Sequence, residues 1–225
     1  MELWISDWRR LGMDTRWRDC LPCLEPGQRD KALRFRREED RIRSVTGALL
    51  VREALRRRFG PAGAALAYNA CGKPCVPGSG YHFNLSHSGA LAVLATAETE
   101  VGVDVEEMRP LDWREFTPVL TAEEQRLLRS SGDPADTFYR IWTIREAFAK
   151  RTGIGLSLFE SGEPYEIRYD AAGAEVRWRG ETLRVTGFVH EGHRIAAAGG
   201  PGEAPQSHIL SESEWRALCI REITG

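Results

Sequence analysis

The strongest constraint on the fold is an order of elements that occurs twice: a helix-forming stretch followed by several short strands. In the first half, apolar residues at helical spacing lie between Ile42 and Phe59, and Gly60-Pro61 ends the pattern. A basic stretch before them, from Gln28 to Arg37, is also compatible with a helix. Strands are then predicted at 81–85, 90–96 and 101–106.

The second half has the same order. Thr121-Ala-Glu-Glu124 is a capping-box pattern, which opens a helix that is predicted to end near Ser130. A longer helix is predicted over 136–151, with Gly153 as its end. Alternating segments predict a strand meander at 165–169, 176–179, 183–190 and 194–198, and a second capping-box pattern predicts a short helix from Ser211.

This repeated order predicts an α+β protein built from two halves. We expect an N-terminal subdomain at 1–107 and a C-terminal subdomain at 108–225, joined near the segment from Glu107 to Asp112. A chain of 225 residues is long enough for each half to bury a hydrophobic core.

Charge and hydropathy argue against several functional classes. The formal net charge is −2 and the pI is near 6.3, so binding of nucleic acid through bulk positive charge is not expected. The first residues, MELWISDWRR, lack the basic and apolar regions of a signal peptide. The longest apolar run, 90–95, is far shorter than the ~20 residues of a membrane span. We expect a soluble cytoplasmic protein with no nucleic-acid or membrane partner.

The five cysteines are expected to be reduced thiols, because their number is odd and no export signal is visible. Two close pairs, Cys20 with Cys23 and Cys71 with Cys75, leave a zinc site as an alternative. The spacing of the second pair is unusual for zinc, and no βαβ context supports a redox CxxC motif. Cys219 is the fifth cysteine.

Two carboxylates stand together in Gly102-Val-Asp-Val-Glu106. Residues two apart on a strand share a face, so Asp104 and Glu106 repel each other unless a cation compensates their charge. Mg²⁺ suits such a pair, because it takes oxygen ligands and often joins carboxylates to a substrate phosphate. A polar, solvent-facing strand end is the alternative.

A third carboxylate lies on the long helix of the second half. Glu146 and Lys150 are four residues apart and therefore share a helix face, flanked by Arg145. They can be an ordinary surface ion pair worth about 0.3 kcal/mol. Alternatively, Glu146 joins the metal site and Lys150 places a cation beside it.

A phosphate site is indicated by Ser86-His87-Ser88-Gly89, which is predicted as a turn with hydroxyl and backbone donors. An ordinary hairpin turn is the alternative. A basic set accompanies it: Lys31, Arg34, Arg43, Arg52 and Lys73. Carboxylates, turn and basic residues together favour a polyanionic ligand, for example a nucleotide.

Three motifs in this order resemble the 4′-phosphopantetheinyl transferases of the surfactin-synthetase-activating (Sfp) type. They are Phe83-Asn-Leu-Ser-His-Ser-Gly89, Gly102-Val-Asp-Val-Glu106 and the segment from Trp142 to Lys150 with its continuation to Leu156. Upstream, the segment from Arg34 to Arg43 and Gly72-Lys-Pro74 are similar to the same family. The similarity runs from about Pro26 to Ser157, and the shared order and spacing make it specific.

The resemblance implies a fold and an activity. Such enzymes move 4′-phosphopantetheine from coenzyme A to a serine of an acyl or peptidyl carrier protein and release adenosine 3′,5′-bisphosphate. The implied fold has two similar α+β subdomains related by a pseudo-two-fold axis, each a small antiparallel sheet packed with helices, with the active site in the cleft between them. The implied partner is a carrier protein or carrier domain of a fatty-acid, polyketide or nonribosomal peptide synthase. One chain can build the whole cleft, so we expect a monomer.

The resemblance also assigns site residues. Asp104, Glu106 and Glu146 are the implied Mg²⁺ ligands, with Glu146 or a metal-bound water as the general base. Lys150 is implied to stabilise the pyrophosphate and to protonate the leaving group. The residues that match coenzyme A contacts are Lys31, Arg43, Lys73, Ser86, His87, Asp104 and Lys150.

Three departures from the family pattern are visible. Arg145 stands where a lysine is usual, Gln28 stands where a lysine can assist the 3′-phosphate, and Glu107 adds an acid after Glu106. The Arg145 departure motivates one alternative, a protein of the same fold that binds coenzyme A or a carrier protein without turnover. A metal-dependent phosphohydrolase is a further alternative.

Overall fold

The computed structural model describes residues 1–60, 63–69, 73–160, 162–200 and 205–209. The α-helices within these ranges are α1 (Met13–Arg16), α2 (Pro26–Arg34), α3 (Glu38–Phe59), α4 (Ala122–Ser130) and α5 (Pro134–Thr152). Short 3₁₀ helices lie at Leu21–Cys23, Trp113–Val119 and Leu156–Phe159. None of the described helices is both long and apolar enough to cross a membrane.

The strands form two main sheets and one small pair. The strands are β1 (Glu2–Asp7), β2 (Ala67–Tyr68), β3 (Pro74–Cys75), β4 (His82–Ser88), β5 (Leu91–Ala97), β6 (Gly102–Glu107), β7 (Tyr165–Asp170), β8 (Gly173–Trp178), β9 (Glu181–His190), β10 (His193–Ala198) and β11 (Gln206–Ile209). The first sheet has the order β11-β1-β5-β4 and the second has the order β6-β10-β9-β8-β7. Pairing is antiparallel except between β1 and β11.

The first sheet is covered on both faces, which explains the unbroken apolar run of β5. Ala92 and Leu94 pack in the cluster that contains the apolar face of α3. Leu91 and Val93 alternate with them and face a second cluster. A strand that is buried on both faces loses the polar alternation of a surface strand.

That second cluster joins the two sheets. Leu3 and Ile5 of β1 pack with Val103 and Val105 of β6 and with Ile195 of β10. Apolar faces from both sheets therefore share one core, which fixes β4, the edge strand of the first sheet, beside β6, the edge strand of the second.

The helix α5 packs on the other face of the second sheet. Phe148 and Ala147 lie in one cluster with Val176, Val185 and Ala196. Gly102 permits the closest approach, since a Cβ on this residue would collide with the backbone of Ala147 and Arg151. The residues two and four positions after Gly102 face the same way as Gly102, toward this helix.

Replacing Gly102 by alanine is therefore expected to lower the free energy of unfolding by about 1–3 kcal/mol, because α5 must move away from β6. Urea unfolding measures this change. Gly132→Ala is the control, since a Cβ there meets no atom within 4 Å, and its effect is expected to stay within about 0.5 kcal/mol. Equal stabilities of the two variants would contradict the close approach.

The structure confirms the α+β class predicted from the sequence, with a long helix on each antiparallel sheet. The capping box at Thr121 is present with both of its hydrogen bonds. Gly153, in the left-handed region at φ 72°, ends α5. The division into halves at residue 107 stays a prediction, and the predicted helix from Ser211 lies outside the described residues.

Three features differ from the predictions. Ser86, His87 and Ser88 were predicted as a turn but belong to β4, and the turn is formed by Gly89 and Ala90. The strand β6, which follows the first-half strands in sequence, pairs with β10 in the second sheet. The sequence analysis missed β1 and β11, which pair across almost the whole length of the described chain.

Candidate active site

The candidate site lies where the two edge strands run side by side. Side chains of β4 bridge to β6 at every second position, where strand residues share a face. Asn84 Oδ1 accepts from the amide of Val103 at 2.9 Å, and Ser86 Oγ donates to Asp104 Oδ1 at 2.9 Å. Ser88 Oγ donates to Glu106 Oε2 at 2.8 Å. These contacts fix the positions of both carboxylates.

The helix α5 brings a cation to the same place. Lys150 Nζ donates to Asp104 Oδ1 at 2.6 Å and to Ser86 Oγ at 3.1 Å. Asp104 is buried, with 3% of its surface exposed, and its second oxygen, Oδ2, has no hydrogen-bond partner among the described residues. One oxygen of Asp104 thus accepts two hydrogen bonds, while the other is buried without a partner among the described residues.

Three carboxylates at this place influence one another. Burial raises the pKa of Asp104, against the opposing charge of Lys150. Burial and the charge of Asp104 raise the pKa values of Glu106 and of Glu146. Each of the three acids therefore retains its proton more readily than an isolated acid. A cation placed among them would reduce the repulsion between their carboxylates.

The donor set fits Mg²⁺ in its chemistry, because all three groups offer hard oxygen ligands and Asp104 Oδ2 is buried without a partner. Within the described residues, no three His, Cys, Asp or Glu side chains already converge as a metal cage. The charge of Asp104 acts on both Glu106 and Glu146, which is what groups the three acids. Lys150 forms an ion pair with Asp104.

A polar cavity of about 470 Å³ opens beside the carboxylates. Its lining residues from 1–107 include Arg43, His87, Glu106 and Glu107, and those from 108–225 are Arg109 and Tyr139. A cleft of this kind can accept a charged ligand that touches both halves.

Arg43 is held in this cavity by the turn after β4. Its Nη1 donates to the carbonyl of Gly89 at 3.0 Å, the same carbonyl that accepts from Trp8 Nε1 at 3.1 Å. Asp40 forms an ion pair with the other end of the guanidinium. Gly89 has a φ of 53°, and a Cβ on it would lie 2.7 Å from the Glu107 carboxyl and from His193 Nε2. The turn therefore requires glycine.

His87 is exposed at the cavity beside several cations. Desolvation by the surrounding protein, followed by the charges of Arg43, Lys150 and Lys31, lowers the pKa of its imidazole. Lys31 itself is exposed on α2. The charges of these three residues therefore act on the same imidazole.

Other predicted binding residues lie elsewhere or are already engaged. Lys73 Nζ donates to Glu100 at 2.9 Å and to the carbonyls of Val101 and Arg151 at 3.1 and 3.5 Å. Two members of the predicted basic set donate to backbone carbonyls away from the carboxylates. Arg34 donates to the carbonyl of Asp30, and Arg52 donates to the carbonyl of Cys23.

Arg145 points away from the site, although it is the neighbour of Glu146. Its guanidinium is buried, donates to Glu124 at 3.0 Å and to the carbonyl of Val119 at 2.6 Å, and lies over the ring of Phe159. Glu124 also accepts from Tyr169 at 2.5 Å. The departure that motivated a non-catalytic alternative is thus part of a buried structural network.

Glu107 is paired with Arg109 at the cavity wall, where Arg109 Nε donates to it at 2.9 Å. Gln28 lies on α2 and lines a different cavity, beside Arg52 and Tyr68. Cys71 and Cys219 lie outside the described residues, so the zinc alternative rests on no described cluster.

The sequence analysis missed the bridging roles of Asn84 and Ser88. The signal was available, since polar residues at 84, 86 and 88 alternate with period two. Treating 86–88 as a turn concealed that these three side chains share one strand face.

Two family models match adjoining parts of the chain. The model of the 4′-phosphopantetheinyl transferase superfamily matches residues 100–198. The model described as 4′-phosphopantetheinyl transferase, N-terminal, matches residues 6–99. The matches together contain every residue that forms the junction of β4, β6 and α5.

Curated relatives agree with these matches. A 4′-phosphopantetheinyl transferase of Bacillus subtilis is 36% identical over 138 residues, which are 58% of this chain and 61% of that relative. The matched region thus spans about three fifths of the length of the Bacillus relatives. The 4′-phosphopantetheinyl transferase pptA of Paxillus involutus is 28% identical and covers 94% of this chain and 92% of its own length.

A further relative covers more of the chain than the Bacillus subtilis enzyme does and is more identical to it than pptA is. The 4′-phosphopantetheinyl transferase HetI of Nostoc sp. is 34% identical over 165 residues, which are 67% of this chain and 68% of HetI. Family models, relatives and the geometry of the edge-strand junction lead to one conclusion: the chain belongs to the 4′-phosphopantetheinyl transferase family.

Proposed function

We propose that the protein transfers the 4′-phosphopantetheine group of coenzyme A to a serine hydroxyl of an acyl or peptidyl carrier protein and releases adenosine 3′,5′-bisphosphate. The observation that carries the proposal is the junction at Asp104, where Ser86 and Lys150 converge on one oxygen and the other oxygen is buried without a partner among the described residues. The named activity of the relatives supports the same reaction.

In this proposal, Asp104, Glu106 and Glu146 hold a Mg²⁺ ion. When bound, the ion supplies positive charge that stabilises charge developing on the transferred phosphate. Glu146 takes the proton of the serine hydroxyl, a role supported by its raised pKa. Lys150 binds the pyrophosphate and returns a proton to the leaving phosphate oxygen.

The remaining predicted residues bind coenzyme A. Lys31 and Arg43 supply positive charge to its phosphates and His87 supplies a hydrogen bond, as supported by the position of Arg43 and His87 at the cavity and by the charge of Lys31 acting on His87. Ser86 donates from the strand that faces Asp104. Lys73 contributes less directly, because its ammonium is already bonded to Glu100 and to two carbonyls.

The proposed reaction defines the partner and the setting. The acceptor is a carrier protein or carrier domain of a fatty-acid, polyketide or nonribosomal peptide synthase. We infer a cytoplasmic monomer, since coenzyme A is a cytoplasmic donor and both halves of one chain supply residues to the cavity.

Product analysis tests this proposal against its alternatives. We expect adenosine 3′,5′-bisphosphate to appear only when coenzyme A, Mg²⁺ and an apo carrier protein are all present, in an amount equal to the modified carrier. Release of a phosphopantetheine product without carrier would indicate a hydrolase. Binding of coenzyme A with no product at all would indicate a protein without turnover.

A further inference from the structure

The turn between β4 and β5 carries a carbonyl that accepts two side-chain hydrogen bonds. Gly89 O accepts from Arg43 Nη1 at 3.0 Å and from Trp8 Nε1 at 3.1 Å. A carbonyl oxygen has two lone pairs, so these two bonds use its full capacity. Arg43 lines the polar cavity, whereas Trp8 lies in a hydrophobic core with 4% of its surface exposed. The turn thus links a residue of the cavity to a buried tryptophan.

Trp8 holds the turn with its backbone as well as with its side chain. Its amide donates to the carbonyl of Ala90 at 3.1 Å. The strand β1 ends directly before Trp8, and it pairs with β5, which begins directly after the turn. The indole packs in the cluster that contains the apolar face of α3, the helix that bears Arg43. Trp8 is therefore a fixed point that holds both residues of the turn.

The Gly89 carbonyl needs such a support. Gly89 has a φ of 53°, and glycine has more backbone freedom than any other residue. Rotation of the peptide plane after Gly89 would turn this carbonyl away from Arg43. The bond from the indole opposes the rotation, because a buried N–H group that loses its acceptor is costly.

The carbonyl in turn orients the guanidinium of Arg43. This group has five N–H donors. Two of them bond within the part of the chain that the structure describes, Nη1 to the carbonyl of Gly89 and Nη2 to the carboxylate of Asp40. Because the two partners bind different nitrogens, together they fix the plane of the group and leave its other donors for an anionic ligand.

We propose that Trp8 is a positioning residue for coenzyme A. Its indole N–H holds the Gly89 carbonyl, and this carbonyl holds Arg43 in the orientation that binds a phosphate of the donor. The inference rests on the proposed function, because it takes coenzyme A as the donor and Arg43 as a residue that binds it. The carboxylates of the junction are held by Ser86 and Ser88, so the chemical step does not depend on Trp8.

Calorimetric titration of the full chain with coenzyme A tests this linkage in a double-mutant cycle. Trp8→Phe keeps an aromatic ring but removes the N–H donor, and it is expected to raise the dissociation constant about fivefold. Arg43→Met is expected to raise it about tenfold or more. In the Arg43→Met background, Trp8→Phe is expected to add less than about twofold, because the residue through which Trp8 acts is gone.

Trp17→Phe is the matched control. Trp17 is buried in the same cluster, but its indole donates to Glu38 at 3.1 Å instead of to the turn. Its affinity for coenzyme A is expected to equal that of the wild type within about twofold. Steady-state kinetics with a carrier protein give a second readout, in which Trp8→Phe is expected to raise the KM for coenzyme A about fivefold and to leave kcat unchanged.

Benzothienylalanine at position 8 covers the case in which Trp8→Phe fails to fold. This amino acid keeps the shape of tryptophan but has sulfur in place of the N–H group. It therefore removes the hydrogen bond to Gly89 without leaving a cavity. The same weakening of coenzyme A binding, about fivefold, is expected.

Wild-type affinity for coenzyme A in both position-8 variants would overturn the inference. Equal weakening by Trp8→Phe in the wild-type and Arg43→Met backgrounds would overturn it as well, because the tryptophan would then act through general packing. Either result beside normal carrier modification would leave the proposed function standing. Failure of carrier modification, with the expected cycle of affinities intact, would instead remove the transfer reaction and leave the role of Trp8 standing.

Discussion

Replacing Asp104 by asparagine is expected to lower the rate of phosphopantetheine transfer roughly 10³-fold while the protein stays folded. The carboxylate is the buried centre of the junction, where it accepts from Ser86 and Lys150. Asparagine keeps the shape but removes the charge that attracts a metal ion. The loss corresponds to about 4 kcal/mol of transition-state stabilisation.

The effect on stability is expected to be much smaller than the effect on activity. Burial raises the pKa of Asp104 in the folded protein, so its ionised form costs stability at neutral pH, and this cost disappears when the pH falls below the unfolded pKa. The neutral asparagine is therefore not expected to lower the free energy of unfolding by more than about 1 kcal/mol.

Glu107→Gln is the matched control for activity. Glu107 lies on the same strand as Asp104, but Arg109 binds its carboxylate at the cavity wall. Steady-state rates with a carrier protein are expected to differ less than about fivefold from the wild type, and circular dichroism monitors the fold of both variants. Wild-type rates for Asp104→Asn would exclude this residue from the reaction.

Replacing Arg145 by methionine is expected to lower the free energy of unfolding by about 3–5 kcal/mol. The guanidinium and the Glu124 carboxylate are both buried, and Glu124 also closes the capping box of α4 and accepts from Tyr169. Removal of the arginine leaves a buried carboxylate with hydrogen bonds but no positive partner. Urea unfolding measures the loss.

Arg168→Met is the control for this change, because Arg168 pairs with Glu166 on the exposed face of β7. Its effect is expected to stay below about 0.5 kcal/mol, since exposed ion pairs contribute little. Arg145→Lys keeps the charge and is expected to recover part of the lost stability. Equal losses for Arg145→Met and Arg168→Met would show that the buried network does not support the fold.

Helices and hairpins were predictable because their signals are local. The spacing of apolar residues, the capping box at Thr121 and the stop at Gly153 placed α3, α4 and α5 within a few residues of their bounds. The meander from β7 to β10 followed from alternation and turn residues.

Sheet partners were not predictable, because pairing depends on contacts between distant segments. No local pattern near β6 indicates that this strand pairs with β10, and none near β1 indicates that it pairs with β11. The prediction of a turn at 86–88 was wrong for a related reason. Small polar residues indicate a turn, but here they lie on β4, and the carboxylates of the neighbouring strand β6 accept their hydrogen bonds.

The candidate site was predictable in composition and less so in arrangement. Spacing placed Asp104 with Glu106 and Glu146 with Lys150, and the resemblance to a known family joined the two pairs. The direction of Arg145 was hidden, since adjacent helix residues point about 100° apart and only the fold shows which one faces the junction. The assigned roles of these residues stay predictions.

The most direct test of the transfer reaction is the intact mass of an apo carrier protein after incubation with this protein, coenzyme A and Mg²⁺. We predict a gain of one phosphopantetheine group, which is lost when EDTA removes the metal or when the acceptor serine of the carrier is replaced by alanine. An unchanged carrier mass across fatty-acid, polyketide and peptidyl carriers, with coenzyme A bound to the protein, would contradict the proposed function.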